Sequence, residues 1–431
     1  MDSRGRLRMQ FADGSPVRPV ELDCCHSIIC RGTPISCEYS CWLRGTGEAS
    51  ELNLSDLDYD LPPERIAQWP LEERDASRML LLDRRSGAWE DRQFREFPDI
   101  LRGDELIVIN NARVLPARLW GHRKGVRAQP IGKNSPIREE HLSAAVEVLL
   151  LRACGGNEWE ALVRPGRKIP VGETIVFGDG ELQAEVVSRA GFGLRRLKFA
   201  GPNRNTLNET IERLGHIPLP PYIKRGDSAI DRERYQTVFA RRGAAVAAPT
   251  AGLHFTPEIL ARVRQRGLEV AEITLDVGLG TFEPVRTERL EDHHIHTESY
   301  EIPANTAEAI TRAHAERRPV LAVGTTVVRA LEDAAEKVAT THGMKQGADT
   351  DMDVGGKSVI AAGRAEAEIF LFPGKPFRVV DQLLTNFHLP RSSLLALVAG
   401  FAGRENTLRA YRHAVEAEYR FYSYGDCMWI R

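Results

Sequence analysis

Polar and ionisable residues are concentrated in five short blocks of the C-terminal half, each at the end of an apolar run. The blocks are residues 247–255, 276–282, 291–296, 323–329 and 384–390. In an α/β domain, neighbouring strands end at one edge of the sheet, and the residues that follow them form the ligand site. The spacing therefore predicts a small-molecule site at the strand ends.

One block places Gly-Thr-Thr at 324–326, between an apolar run and a helical pattern. The N–H groups of a helix N-terminus and two hydroxyls can hold a carboxylate or phosphate, but such hydroxyls can equally just cap the helix. Arg329, one turn further on, could add a bidentate contact. Gly278-x-Gly280 lacks the third glycine of a dinucleotide fingerprint, so it indicates only a tight turn or a close backbone approach.

Histidines supply the candidate acid and base groups. His254 follows a turn-prone polar run, whereas His388 could equally be a buried, hydrogen-bonded core residue. The cluster at 292–296 resembles a metal site, but three or four convergent ligands are required and neither HExxH nor a distant cysteine set is present. We therefore expect acid/base or hydrogen-bonding roles and no metal.

The chain has 431 residues, 42% of them hydrophobic, and a formal charge of −2. This length predicts two or more domains. Residues 106–138 contain several arginines and lysines but no acid, a pattern that suits a polyanion such as nucleic acid and suits a solvated loop equally well.

The first 53 residues have no apolar period and carry five of the seven cysteines, without metal-site spacing. We expect a disordered or artefactual leader. No secretory segment follows the basic N-terminal residues, and the apolar stretch at 394–403 is too short to span a bilayer, so we expect a cytoplasmic protein.

Two kinds of sequence pattern follow the predicted leader. Short β-type runs separated by glycine turns predict a small antiparallel barrel at 105–202, and alternating strands and helices predict an α/β domain from 54–104 and 203–431. The predicted fold is thus a larger α/β domain with a mostly parallel sheet, interrupted in sequence by an inserted antiparallel β-barrel domain.

Several ordered blocks carry a family resemblance, which extends from about Leu54 to Ile430. They are residues 104–119, 215–223, 235–239, 247–255, 278–285, 324–329, 372–374, 380–390 and 419–426. Together they resemble the S-adenosylmethionine:tRNA ribosyltransferase-isomerases of queuosine biosynthesis.

The resemblance implies an enzyme that uses S-adenosylmethionine as a ribosyl donor and a tRNA bearing 7-aminomethyl-7-deazaguanine at the wobble position. A base would remove a proton from the ribose carbon next to the sulfonium, adenine would leave, and the rearranged sugar would join the aminomethyl nitrogen as epoxyqueuosine with loss of methionine. No metal or redox cofactor is implied, and we expect a monomer.

The expected roles of individual residues fall into three groups. Acid and base candidates, not assigned individually, are His254, Glu291, Asp292, His293 and His296. Donor-binding candidates are Thr250, Gly252, Gly278, Gly280, Thr281, Gly324, Thr325, Thr326, Arg329, Asn386, His388, Tyr422 and Asp426. Residues expected to bind tRNA are Arg113, Arg118, Arg164 and Lys168.

Three departures from the family pattern are visible: Asp276 in place of a usual histidine, Ala112 in place of a usual threonine, and an apparent insertion at 128–145.

Two other functions fit parts of the sequence. An S-adenosylmethionine-dependent RNA methyltransferase would need a glycine-rich loop paired with an acidic strand end, and no convincing pair is present. A non-catalytic RNA-binding protein would leave the C-terminal blocks without a role.

Overall fold

The computed structural model describes residues 53–125, 142, 144–166, 169–201, 204–278, 287–293, 295–345 and 360–431. Glu51–Arg431 form one compact unit. The predicted leader, apart from Asn53, and most of the predicted insertion at 128–145 lie outside the described residues. In the ranges described, no helix is long and apolar enough to cross a membrane.

A nine-stranded mixed sheet organises the larger domain, in the order β15-β13-β12-β3-β14-β16-β17-β1-β2. Strands β12, β3, β14 and β16 form a parallel block at its centre, and β1 also runs parallel to β17. The strands of this sheet are β1 (Arg78–Leu82), β2 (Trp89–Gln93), β3 (Leu106–Asn110), β12 (Glu269–Leu275), β13 (Glu298–Ile302), β14 (Val320–Val323), β15 (Gly363–Ala367), β16 (Gln382–Asn386) and β17 (Cys427–Ile430).

Helices cover both faces of this sheet, as a parallel block requires. The helices of the larger domain are α1 (Phe97–Ile100), α3 (Ala229–Arg234), α4 (Pro257–Gln265), α5 (Ala304–Ala315), α6 (Thr325–Lys345), α7 (Ser393–Ala402) and α8 (Arg404–Glu416). Short 3₁₀ helices lie at Leu54–Leu57, Pro63–Arg65, Arg74–Ala76, Phe94–Glu96, Thr250–His254 and Leu290–Asp292.

The strand β3 shows why the sheet has two cores. Its five residues are all buried, and successive side chains point to opposite faces. Leu106 and Val108 pack in the core that contains α5 to α8, whereas Ile107 and Ile109 pack with Phe97 of α1 and with α4. A continuous apolar run is therefore the sequence of a strand covered on both sides.

The inserted domain is a closed antiparallel barrel in the order β10-β7-β6-β5-β8-β9. Its strands are β5 (Arg118–Arg123), β6 (Val146–Gly155), β7 (Glu158–Arg164), β8 (Thr174–Phe177), β9 (Leu182–Arg189) and β10 (Leu194–Phe199). The helix α2 (Arg204–Leu214) follows β10, and its Leu207 and Ile211 pack in the barrel core. A short parallel pair, β4 (Ala112–Val114) and β11 (Arg242–Ala245), lies beside the chain segments that enter and leave the barrel.

The predicted α/β fold with an inserted antiparallel barrel is confirmed, and one boundary needs correction. The barrel does not begin at residue 105, because β3 pairs with β12 and β14 in the centre of the large sheet and the first barrel strand begins at Arg118. The helical pattern predicted after 324–326 is the helix α6, which ends at Lys345.

Candidate active site

A cavity of about 260 Å³ lies where the central parallel strands end. Residues that follow β14 and β16 form one part of its lining, and the 3₁₀ helix Thr250–His254 and the segment around Tyr422 form the rest. Seven of the predicted donor-binding residues are thereby brought together: Thr250, Gly324, Thr325, Thr326, Asn386, His388 and Tyr422.

The turn from β14 into α6 contributes backbone and hydroxyl groups to the cavity. Gly324 has φ +97°, a conformation that L side chains rarely adopt, so glycine is required there. Thr326 Oγ1 and, across the cavity, the hydroxyl of Tyr422 are buried without a hydrogen-bond partner among the described residues. Buried polar groups normally find partners, so two unpaired hydroxyls in one cavity point to a polar ligand.

Aromatic side chains form another wall. The rings of Tyr222 and Tyr422 lie 4.0 Å apart between centroids, and the Tyr222 hydroxyl is 2.6 Å from Ser423 Oγ. Tyr222 belongs to the proline-rich segment that follows the barrel domain. It lines the cavity together with Ser423. The family block at 215–223 was the signal that could have identified Tyr222.

His388 is the one imidazole among the described residues of the cavity lining. Thr385 Oγ1 donates to the carbonyl of Asn386 and lies 2.8 Å from His388 Nε2. Assigning the Thr385 hydroxyl proton to the Asn386 carbonyl makes Thr385 the acceptor of Nε2–H, and this tautomer leaves the lone pair on Nδ1. Burial lowers the pKa of His388 from its ordinary 6.5 to about 3, so the ring is neutral at pH 7.

His254 lies behind the cavity rather than in its lining. Its Nε2 is 3.2 Å from Asn386 Oδ1 and its Nδ1 is 2.7 Å from Ser77 Oγ, while Asn386 Nδ2 donates to the carbonyl of Tyr422 at 2.8 Å. Burial, partly offset by the Asn386 hydrogen bond, lowers the pKa of His254 to about 4. A neutral ring with its proton on Nε2 donates to Asn386, and the Ser77 hydroxyl lies within hydrogen-bond distance of both Nδ1 and the carbonyl of Arg74, the latter at 3.3 Å.

His254 therefore orients Asn386, and Asn386 connects it to the cavity. Its predicted acid or base role stays a prediction, and both ring nitrogens lie within hydrogen-bond distance of protein side chains. Ser77, which completes the network, carried no sequence signal because it lies 177 residues from His254.

Arg329 and Gly278 both bind Glu298 and do not line the cavity. The Arg329 guanidinium is buried against the carboxylate of Glu298, and it also donates to the carbonyls of His296 and Ala367 at 3.2 and 3.3 Å. The other Glu298 oxygen accepts from the Gly278 N–H at 3.0 Å. Arg329 was expected to make a bidentate contact with the ligand. Through Glu298 it instead fixes the chain at Gly278, next to the cavity residue Val277.

Two further predicted donor-binding residues, Gly252 and Asp426, are buried outside the cavity lining. A Cβ on Gly252 would come within 2.7 Å of Phe239 and 2.8 Å of Thr237, so the glycine permits close approach of these side chains. The Asp426 carboxylate accepts from the backbone N–H groups of Arg78 and Arg420 at 2.8 and 2.7 Å. Both residues support the site without lining it.

The acidic and histidine cluster lies outside the cavity lining. Glu291 and Asp292 are exposed and lie 3.0 and 3.9 Å from Arg289, and the His293 ring packs edge-on against Phe370. His296 is exposed. Gly280 and Thr281 lie outside the described residues. Within the parts of the chain that the structure describes, no group of three or more His, Cys, Asp or Glu side chains could hold a metal ion.

The acid-free stretch acquires acidic partners through folding. Arg113 pairs with Glu212 at 2.5 Å, and Glu147 lies 3.2 Å from Arg118 and 3.9 Å from Arg164. Of these three arginines, only Arg164 has a largely exposed side chain, at 77%. Two of the four residues predicted to bind tRNA, Arg113 and Arg118, are therefore paired with carboxylates, and Lys168 lies outside the described residues.

The departures at Asp276 and Ala112 do not alter the cavity lining. Asp276 faces Gly243, where a Cβ would come within 2.1 Å of its carboxylate oxygen. Ala112 is fully buried in the core of the larger domain.

Comparison with known proteins identifies the family of the chain. The family model described as "Queuosine biosynthesis protein" matches residues 54–430. The S-adenosylmethionine:tRNA ribosyltransferase-isomerase of Solibacter usitatus is 54% identical over 381 residues, which are 88% of this chain and 100% of the relative. The enzyme of the same name from Moorella thermoacetica is 47% identical over 382 residues, with coverages of 88% and 100%.

Among solved structures, the crystal structure of S-adenosylmethionine tRNA ribosyltransferase from Thermotoga maritima matches at 32% identity with a TM-score of 0.44. The match covers 88% of this chain and 100% of that one.

Proposed function

This chain belongs to the queuosine biosynthesis protein family, and from that premise we propose that it transfers and isomerises the ribosyl group of S-adenosylmethionine onto tRNA. The acceptor is the aminomethyl nitrogen of 7-aminomethyl-7-deazaguanine at the wobble position. The products are epoxyqueuosine in tRNA, adenine and methionine. The reaction takes place in the cytoplasm on a monomeric enzyme, without a metal or redox cofactor.

The cavity at the strand ends is the observation that supports this proposal. S-adenosylmethionine has an aromatic base, a hydroxylated ribose and a zwitterionic amino acid, so its site needs both aromatic surface and directed polar groups. Tyr222 and Tyr422 supply the first, and the unpaired Thr326 hydroxyl and the N-terminus of α6 supply the second. The carboxylate of the donor fits the helix N-terminus, where backbone N–H groups favour an anion.

The reaction begins with removal of a proton from the ribose carbon next to the sulfonium. We assign this step to His388, because it lines the cavity and its neutral ring has a lone pair on Nδ1. The electron pair left on carbon opens the ribose ring and expels adenine, which takes up a proton. The aminomethyl nitrogen then adds to the sugar, and after closure of the cyclopentane an alkoxide displaces methionine to form the epoxide.

Asn386 and His254 position the cavity for these steps. The Asn386 amide holds the carbonyl of Tyr422 on one side and the His254 ring on the other. Loss of His254 would therefore act through Asn386 and the Tyr422 backbone, not through proton transfer.

The test is incubation of the purified protein with labelled S-adenosylmethionine and tRNA carrying 7-aminomethyl-7-deazaguanine. Free adenine and a nucleoside with the mass of epoxyqueuosine are expected. His388→Gln keeps a hydrogen-bonding group beside Thr385 but cannot act as the base, so turnover should fall by about 10²- to 10⁴-fold. His413→Gln, which changes an imidazole paired with Asp91 outside the cavity lining, is the matched control and should retain full activity.

S-adenosylhomocysteine as the product would establish methyl transfer instead, and tRNA binding without any donor turnover would establish a non-catalytic protein. A folded His388→Gln protein with unchanged turnover would remove His388 from the proton-transfer step and leave the overall reaction standing.

A further inference from the structure

A phenylalanine at the tip of one barrel hairpin is almost wholly exposed. The strands β9 and β10 are joined through the 3₁₀ turn Gly191–Gly193, in which Phe192 has 98% of its surface accessible. Its φ of +54° lies in the left-handed region, which is uncommon for residues other than glycine. An exposed aromatic ring on a disfavoured backbone contributes little to folding, so the tip calls for a functional explanation.

The tip is held firmly in place by a buried arginine. The Arg195 guanidinium donates to the carbonyls of Ala190 and Leu194 in the hairpin and to those of Gly166 and Ile169 in the neighbouring β7–β8 connection. A Cβ on Gly166 would come within 3.0 Å of the hairpin backbone. The two loops therefore form one tied end of the barrel, and Phe192 projects from it.

Cationic side chains surround this end. Arg189 is exposed on β9, Arg164 is 77% exposed on β7, and Arg196 is 45% exposed on β10. Carboxylates approach Arg164 and Arg196 only at 3.9 and 4.0 Å, through Glu147 and Glu158. An exposed aromatic ring among arginines is the combination that binds unpaired nucleotides, since the ring stacks on a base and the cations contact phosphates.

We propose that Phe192 stacks on an unpaired base of the tRNA substrate, with Arg189 contacting the phosphate backbone beside it. This inference rests on the proposed function, because it takes the RNA partner from there. It adds a contact surface on the barrel, separate from the cavity where the reaction occurs.

The test compares Phe192→Ala, Phe192→Leu and Phe192→Tyr in tRNA binding and in steady-state turnover. Stacking on one base predicts that the Ala and Leu variants raise Kd and KM for tRNA by roughly 5- to 150-fold. Their kcat at saturating tRNA and their KM for S-adenosylmethionine should not change. Phe192→Tyr should stay within about twofold of the parent, because it keeps the ring. Val171→Ala removes another exposed apolar side chain, 43% accessible, from the same end of the barrel and should have no effect.

Salt dependence separates stacking from charge. Phe192→Leu should leave the slope of log Kd against log salt unchanged, whereas Arg189→Gln should reduce it by about one phosphate contact. Parent-like tRNA binding by Phe192→Leu would overturn the stacking contact. A molecular mass in solution that rises with protein concentration for the parent but not for Phe192→Ala would show that the tip binds a second copy of the chain. That result would also overturn the stacking contact.

The proposed function can fail separately. If the parent protein binds the tRNA but releases no adenine, the reaction is wrong, while the Kd series still decides the role of Phe192. A parent protein that does not bind tRNA overturns both.

Discussion

Two buried neutral histidines at the candidate site predict that the fold loses stability in mild acid. Burial lowers the pKa of His254 to about 4 and that of His388 to about 3, whereas both titrate near 6.5 in the unfolded chain. Between these values the unfolded chain binds protons that the folded protein excludes. The free energy of unfolding is therefore intact above pH 6.5 and falls as the pH drops towards 4 and 3.

The size of this effect follows from the two pKa differences. Each histidine contributes a slope of about 1.4 kcal/mol per pH unit once the unfolded chain is protonated. Integrated from pH 7 to pH 5, the loss is roughly 2 kcal/mol for each ring and about 4 kcal/mol for both. Most carboxylates titrate below pH 5, so this window mainly reports histidines.

Urea unfolding at pH 7, 6 and 5 measures the loss. His254→Gln and His388→Gln should each unfold more easily at pH 7, yet each should lose about 2 kcal/mol less than the parent on going to pH 5. His122→Gln, which removes an exposed imidazole, is the control and should keep the parent slope. Equal pH dependence in the parent and both site variants would refute the conclusion that these rings are held neutral.

Three other predictions concern the support of the site. The Asp231 carboxylate receives Arg225 at 2.7 and 2.8 Å and the Tyr424 hydroxyl at 2.7 Å. Burial raises its pKa, but these bonds outweigh burial and lower it to about 2. Asp231→Asn should therefore cost about 3–5 kcal/mol in urea unfolding at pH 7, a difference that shrinks as the pH falls from 4 towards 2; a constant difference would contradict this. Gly252→Ala should lose about 1–3 kcal/mol in thermal unfolding because its Cβ meets Phe239 at 2.7 Å, and an unchanged Tm would disprove the close approach. Thr326→Val should leave stability unchanged and weaken S-adenosylmethionine about 5- to 10-fold in calorimetry, since its hydroxyl has no partner among the described residues; unchanged affinity would remove it from the site.

Local patterns were sufficient for the fold and for the position of the cavity. The apolar run of β3 required a strand covered on both faces, and the glycine turns between short β runs required antiparallel strands. Polar residues directly after β14 and β16 had to meet at one edge, because parallel strands end together. That reasoning predicted one site at the strand ends, and Gly324, Thr326 and His388 all line the cavity there.

Pairing between distant residues could not be derived in this way. The sequence suggested that Arg329 could bind a ligand, but in the fold it is paired with Glu298. It also suggested that Arg113 belongs to a basic face, but Arg113 is paired with Glu212, 99 residues away. Gly252 has the sequence context of a binding glycine but lies under Phe239.

There is a physical reason why local patterns predict the fold but not the partners of individual polar groups. Periodicity and turn chemistry are local properties of the backbone, so the sequence reveals strands, helices and the edge where they end. Which polar group meets which depends on how the layers pack, because burial forces each charge or amide towards whatever partner the tertiary structure brings within about 3 Å. The sequence therefore predicted a strand-end site, and packing decided that His388 lines the cavity there while His254 lies behind it.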